Sequence, residues 1–196
     1  MTVSSMSSAD TPAMILQDRA AIASAHPPSL QAPSLQSRSP QQISAIPITA
    51  AAFRPFGQLI LPQPDDVPFS PKDAQLQLSG GIPRFYIMAL HHRGRRFHTI
   101  TRHSRCTQCL GSLEGKTWFL GVAPPSEIPQ PTLDEIAVFK IPGNCFVKLD
   151  AGTWHAGPYF DTDAVNFYNL ELSDTNIVDH VTCDLLTTYG TEFEIV

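Results

Sequence analysis

The chain has 196 residues, 42% hydrophobic and 16% charged, with a formal net charge of −5. That length supports one core of ordinary size. It carries no basic stripe for nucleic acid and no apolar run near the roughly 20 residues that span a bilayer, so neither nucleic acid nor a membrane is an expected partner.

Residues 1–44 are Ser, Ala, Pro and Gln with few charges and no aromatic side chain. Such a stretch buries too little apolar area to offset its ordering entropy and is expected as a disordered tail. A Ser-rich, acid-poor organelle transit peptide is the alternative. "AMILQDRAAIASA" (13–25) is compatible with a short helix. From residue 45 to 196 the text becomes strand-like, and this range is the expected folded domain.

"ISAIPITAAAFRPFGQLILP" (43–62) opens with a strand, then a helical turn at 49–55, then a glycine and another apolar run. "PRFYIMAL" (83–90) follows a Ser-Gly-Gly turn and is β-prone. The arginines bunch once, in "HHRGRRFH" (91–98), which reads as a solvated turn between strands. "RRFHTITRH" (95–103) alternates so that Phe97, Thr99, Thr101 and His103 share one face. "TQCLGSL" (107–113) and "KTWFLGVA" (116–123) are the next strands, and "APPSEIPQPTLDE" (123–135) is a long loop at one mouth. "EIAVFKIPGNCFVKL" (135–149) reads as a hairpin with Pro-Gly-Asn as its turn. "AVNFYNLEL" (164–172) and "VDHVTCDLL" (178–186) complete the domain. Many short strands separated by Gly and Pro predict an all-β sandwich or barrel with few short helices.

The four cysteines, Cys106, Cys109, Cys145 and Cys183, are too sparse for a disulfide scaffold. A reducing compartment is expected: the cytoplasm, or an organelle if residues 1–44 are a transit peptide. "CTQC" (106–109) lacks a second pair for zinc and a following helix for redox chemistry, and its thiols read as small buried hydrophobes.

The histidines carry the chemistry. Gln108 lies five residues after His103, and Gly115 seven residues after that; His155 closes Asp150-x-Gly152-x2-His155. These spacings resemble the two motifs of cupin barrels, and the resemblance implies an antiparallel jelly-roll barrel with His103, Gln108 and His155 facing one cavity. Thr101 stands where the motif has a histidine and Gln108 where it has a glutamate. Without that carboxylate a divalent ion is poorly held, although Glu171 or Asp150 could replace it. No metal and no organic cofactor is expected.

"TRHSRCTQCLGSL", "FVKLDAGTWHAGPYF" and "VNFYNLELSDTNIVDH", with "PRFYIMAL" upstream, resemble the ureidoglycolate lyase (ureidoglycolate hydrolase) family, and within it the plant and cyanobacterial-type branch. The resemblance covers roughly residues 45–196. It implies cleavage of ureidoglycolate to glyoxylate and urea in allantoin and purine catabolism, by a homodimer. Elimination from a carbinolamine needs a base for the hydroxyl proton and an acid for the leaving nitrogen. His155 is the expected base and His103 the acid, or the reverse. Gln108 would hold the ureido group, and Arg84 or Lys148 the carboxylate. Tyr168 joins the substrate-binding candidates, with a cavity-wall role. Each has a plainer reading: Arg84 as a solvated residue, Gln108 as a bridge between strands, Tyr168 as packing. His91, His92 and His180 have no spacing partner and read as surface or core residues. A hydrolase releasing ammonia, and a non-enzymatic cupin binding a small acid or sugar, are the competing functions.

Overall fold

The computed structural model of the protein describes residues 39–196. The expected disordered tail, its transit-peptide alternative and the helix at 13–25 lie outside the described residues, apart from 39–44.

In chain order the elements are β1 (Gln41–Ile43), β2 (Ala45–Pro47), α1 (Ala50–Phe53), β3 (Gly57–Ile60), β4 (Pro83–His91), β5 (Arg96–Phe97), β6 (Thr99–Arg102), β7 (Gln108–Ser112), β8 (Gly115–Ala123), β9 (Ala137–Gly143), β10 (Phe146–Leu149), β11 (Trp154–Tyr159), β12 (Ala164–Leu172), α2 (Thr175–Val178), β13 (Val181–Asp184), α3 (Leu185–Tyr189) and β14 (Phe193–Ile195). Among the described residues the three α-helices have four or five residues each. Among the described residues no helix is long and apolar enough to cross a membrane.

The strands form a cupin-like barrel of two sheets. One has five strands in the order β3-β10-β7-β12-β4, the other six in the order β13-β6-β11-β8-β9-β2. Pairing within them is antiparallel except for β2 on β9. The folded region reaches further back than residue 45, because β1 pairs in parallel with β14 in a small third sheet.

Period-two alternation sets the inside of the barrel. Leu110, Val147, Leu149 and Phe167 of the five-stranded sheet meet Trp118, Leu120, Val122, Phe139 and Ile141 of the other. Thr49 caps α1, its hydroxyl accepting from the Ala52 N–H at 3.1 Å, and this seats Phe53 in the same core. The six-stranded sheet has a second apolar face. There Ile100, Phe119 and Trp154 pack beneath Leu185, Phe193 and Ile195 of α3 and β14, joined by Phe97 of β5, which pairs with β14. A strand buried on both faces reads as a continuous apolar run, which is why "KTWFLGVA" shows no alternation.

Three expectations change. Residues 135–149 are not a hairpin: β9 pairs with β8 and β2, while β10 pairs with β3 and β7. The Pro-Gly-Asn turn carries the chain between sheets instead of returning it along its neighbour. Phe97 does not share a face with Thr99 and Thr101, because the chain bends at His98 and turns its ring into the second core, stacked near Tyr159 and Phe193. The last segment is a strand only over Val181–Asp184; Asp184 then caps α3, accepting from the N–H groups of Leu186 and Thr187.

Candidate active site

Inward-facing side chains at one end of the barrel are polar and surround a cavity of about 310 Å³, at the small end of the range for ligand sites. β4 contributes Tyr86, β6 Thr99 and Thr101, β7 Gln108, and β12 Asn169 and Glu171. His103 follows β6, His155 lies on β11 opposite Thr101, and Asn176 and His180 come from α2 and the residues after it.

The backbone ties the two histidine segments together. The Gly152 N–H donates to the His103 carbonyl at 2.6 Å, from a left-handed turn (φ +87°) that a glycine adopts without strain. Asp179 clamps the same place from the other side. Its carboxylate accepts from the Ser104 and Arg105 N–H groups, both at 2.8 Å, and its carbonyl accepts from His103 Nδ1 at 2.5 Å.

That last bond settles the His103 tautomer: Nδ1 carries the proton and Nε2 presents a lone pair. His155 is pinned the same way, donating from Nδ1 to the Thr153 carbonyl at 3.3 Å. The two ring centres are 5.0 Å apart, and His180 lies 5.5 Å from His103. Burial lowers the His103 pKa, partly opposed by the Asp179 carbonyl. Burial lowers that of His155 much further, to about 3, and the neighbouring His103 adds to the effect. Both rings are neutral at neutral pH.

Beside them is a buried polar network. Glu171, 1% exposed, accepts from Gln108 Nε2 at 2.9 Å, Asn176 Nδ2 at 3.1 Å and the Tyr86 hydroxyl at 3.3 Å. The Tyr86 hydroxyl accepts in turn from Asn169 Nδ2 at 2.9 Å. Burial raises the Tyr86 pKa, which keeps the phenol a donor.

The structure thus brings His103, Gln108 and His155 into one cavity. Arg84 is opposite Glu171 in register but is exposed, with its guanidinium 3.7 Å over the Tyr86 ring, and it does not line the cavity. Lys148 and Tyr168 do not reach the cavity, and the expectation of substrate contact is corrected for both. Val147 and Leu149 point into the core, so Lys148 points out, where it is buried against the ion-pair partner Asp150. Tyr168 lies between Phe167 and Asn169, which face in, and stacks outside between Phe85 and Phe146. The 123–135 loop contributes no lining residue; it is tied by Ser126 to Arg102 and Trp154 and by Pro131 to Tyr189.

Several lining residues escaped the sequence reading. Asn169 had a signal, since alternation in "VNFYNLEL" puts it on the same face as Val165 and Phe167. Tyr86 had the same signal within "PRFYIMAL". His91, at the end of β4, had none, and neither did Arg93 and His180, which sit on connections whose course only the fold reveals. Arg93 lines the cavity with its guanidinium 4.8 Å from the Tyr159 ring centre.

A metal of the kind cupin barrels hold does not fit this donor set. Thr101 and Gln108 offer a hydroxyl and an amide at the ligand positions, and Glu171 is engaged by three donors. Asp150 pairs with Lys148. Among the described residues no group of three His, Cys, Asp or Glu side chains is arranged to hold an ion. All four cysteines are buried and free, and burial pushes the Cys109 thiol up to about 11.

A family model described as ureidoglycolate lyase matches residues 40–185. The chain belongs to the ureidoglycolate lyase family. As a member of that family it is a lyase acting on ureidoglycolate, a small-molecule substrate, and the geometry above is that of its barrel. A search of curated proteins finds no match.

Proposed function

We propose that the His103–His155 cavity splits ureidoglycolate into glyoxylate and urea by acid–base elimination, with His103 as the proton-transfer residue. The observation that carries this is the pair of neutral imidazoles 5.0 Å apart, each donating from Nδ1 to a carbonyl and so leaving Nε2 free to accept. A base and an already protonated acid cannot coexist here at neutral pH, because both rings are uncharged. One ring must therefore take the proton first. His103 is favoured over His155, since its pKa is less depressed and the Asp179 carbonyl stabilises the imidazolium.

In this scheme His103 Nε2 takes the hydroxyl proton as the C–O bond becomes C=O. The C–N bond breaks with its electron pair on the nitrogen, which receives the proton from the His103 imidazolium. Glyoxylate and urea leave, and His103 returns neutral. His155, neutral and 5.0 Å from His103 ring centre to ring centre, forms the cavity wall beside it. Arg93 at the cavity wall pairs with the carboxylate, the role first assigned to Arg84 or Lys148. This reaction belongs to allantoin and purine catabolism. Four free thiols agree with a cytoplasmic or other reducing location.

The protein is proposed to be a homodimer. Phe85 is 64% and Ile87 57% exposed beside the stacked Tyr168 and Phe146. That apolar strip on the outer face of the five-stranded sheet is the surface a second copy would cover. The decisive assay incubates purified protein with ureidoglycolate and measures urea, glyoxylate and ammonia. Urea with glyoxylate supports the lyase; ammonia would point to a hydrolase, and no product at all to a binding protein.

A further inference from the structure

The Glu171 network has a polarity that the elimination does not use. Glu171 accepts a hydrogen bond from each of these partners, so the Gln108 amide must present its NH2 to Glu171. The same chain of donors turns the Asn169 NH2 toward Tyr86. The opposite ends of the two amides are left over. Gln108 Oε1 and Asn169 Oδ1 are buried, belong to two of the residues that line the cavity, and accept no hydrogen bond from any described residue. Gln108 is 7% and Asn169 1% exposed. Buried polar atoms left unpaired in a native core are costly, and a ligand donor is one way to satisfy them.

We infer that Glu171 is a positioning residue that fixes Gln108 and Asn169 as a pair of carbonyl acceptors for the N–H groups of a ureido ligand. The inference rests on the reading that this cavity takes a ureido acid, and it adds which atoms read the ureido end and what orients them. An amide free to turn would accept an N–H donor or a carbonyl equally well. Held by Glu171, these two reward only donors. The pair therefore selects –NH–CO–NH2 over groups of the same shape that lack an N–H.

Three unreactive acids test this by titration calorimetry on the full wild-type chain. N-carbamoylglycine keeps both nitrogens. N-acetylglycine replaces the terminal NH2 by methyl, and succinamic acid replaces the inner NH by methylene. N-carbamoylglycine should bind about tenfold more tightly than either of the others, the usual consequence of leaving one buried acceptor unpaired. Asn169→Leu and Gln108→Met should each flatten that ranking. Glu171→Gln should raise KM for ureidoglycolate about tenfold or more with kcat little changed, whereas a merely structural loss would lower the active fraction instead. Equal binding of the three acids within about twofold, or binding of none, would overturn the inference, and that measurement needs no variant to fold. The two proposals fail separately. Urea release with a flat ligand ranking sinks the acceptor pair alone. A preserved ranking without urea release sinks the elimination alone.

Discussion

Replacing His155 by asparagine should flatten the acid sensitivity of the fold. In the native state burial holds the His155 pKa at about 3, against 6.5 for the free side chain. The unfolded chain therefore takes up a proton that the folded chain refuses as pH falls below 6.5. The sign follows: this contribution to stability is fully present above 6.5 and is lost progressively toward 3. One pKa unit corresponds to about 1.4 kcal/mol, so at about pH 5 the loss is about 2 kcal/mol. That is a large share of the ~5–15 kcal/mol that holds a domain together. Asparagine keeps an N–H near the position of Nδ1, so the bond to the Thr153 carbonyl is retained while the titration is removed. Asp161 and Asp184 also have lowered pKa values, but they lose their contribution below 3.8 and are the same in both proteins. Urea unfolding followed by circular dichroism at about pH 7 and about pH 5 measures the difference. Wild type should lose about 2 kcal/mol more than His155→Asn between the two. Equal losses would refute the claim that this imidazole is held neutral.

Four further outcomes are expected. His103→Ala should lower turnover of ureidoglycolate about 10²–10⁴-fold while the far-ultraviolet spectrum stays that of a β protein. Turnover should survive dialysis against a chelator, because Thr101 and Gln108 offer a hydroxyl and an amide where a metal site needs imidazole and carboxylate; loss of activity restored by manganese or nickel would contradict this. Tyr168→Glu places a charge on the strip of Phe85 and Phe146 and should shift sedimentation from dimer to monomer. Arg93→Met should raise KM for ureidoglycolate about tenfold or more and leave the affinity for an uncharged ureido compound such as N-methylurea unchanged.

The elements of the barrel were legible wherever one strand had one partly polar face. β4, β7 and β12 read directly from "PRFYIMAL", "TQCLGSL" and "AVNFYNLEL", and α1 from the helical turn between two apolar runs. Partner choice was not legible. Hydrophobic period two places side chains in or out and is silent about neighbours, so the sequence over 135–149 looks the same whether β10 returns along β9 or crosses to β3 and β7. Lys148 shows a second limit. The residue sits on the outer face yet is 4% exposed, buried with the ion pair to Asp150. At the site, His103, Gln108 and His155 were recoverable because fixed spacings tie them to strand ends. His180 and Arg93 come from connections, whose course is set by tertiary contacts such as the Asp179 clamp on Ser104 and Arg105.

The charge layout also fixes how a ureido acid would lie in the cavity. One wall holds Glu171, a buried acid surrounded by donors; the His103 and His155 imidazoles are neutral; and Arg93 is the one guanidinium or ammonium group among the lining residues. A substrate carboxylate set against the Glu171 wall would meet a like charge at low dielectric, an arrangement that costs several kcal/mol at about 4 Å even with an effective dielectric near 20. In the proposed binding mode the carboxylate therefore goes to Arg93 and the uncharged ureido end to Gln108 and Asn169. In the proposed reaction the carbinol carbon, which joins the two ends, lies against His103 and His155. In a cupin metal site the buried carboxylate would neutralise a cation. In the proposed reaction the same kind of side chain orients amides and repels the wrong end of the ligand, so Glu171 and Arg93 serve orientation and a neutral imidazole serves proton transfer.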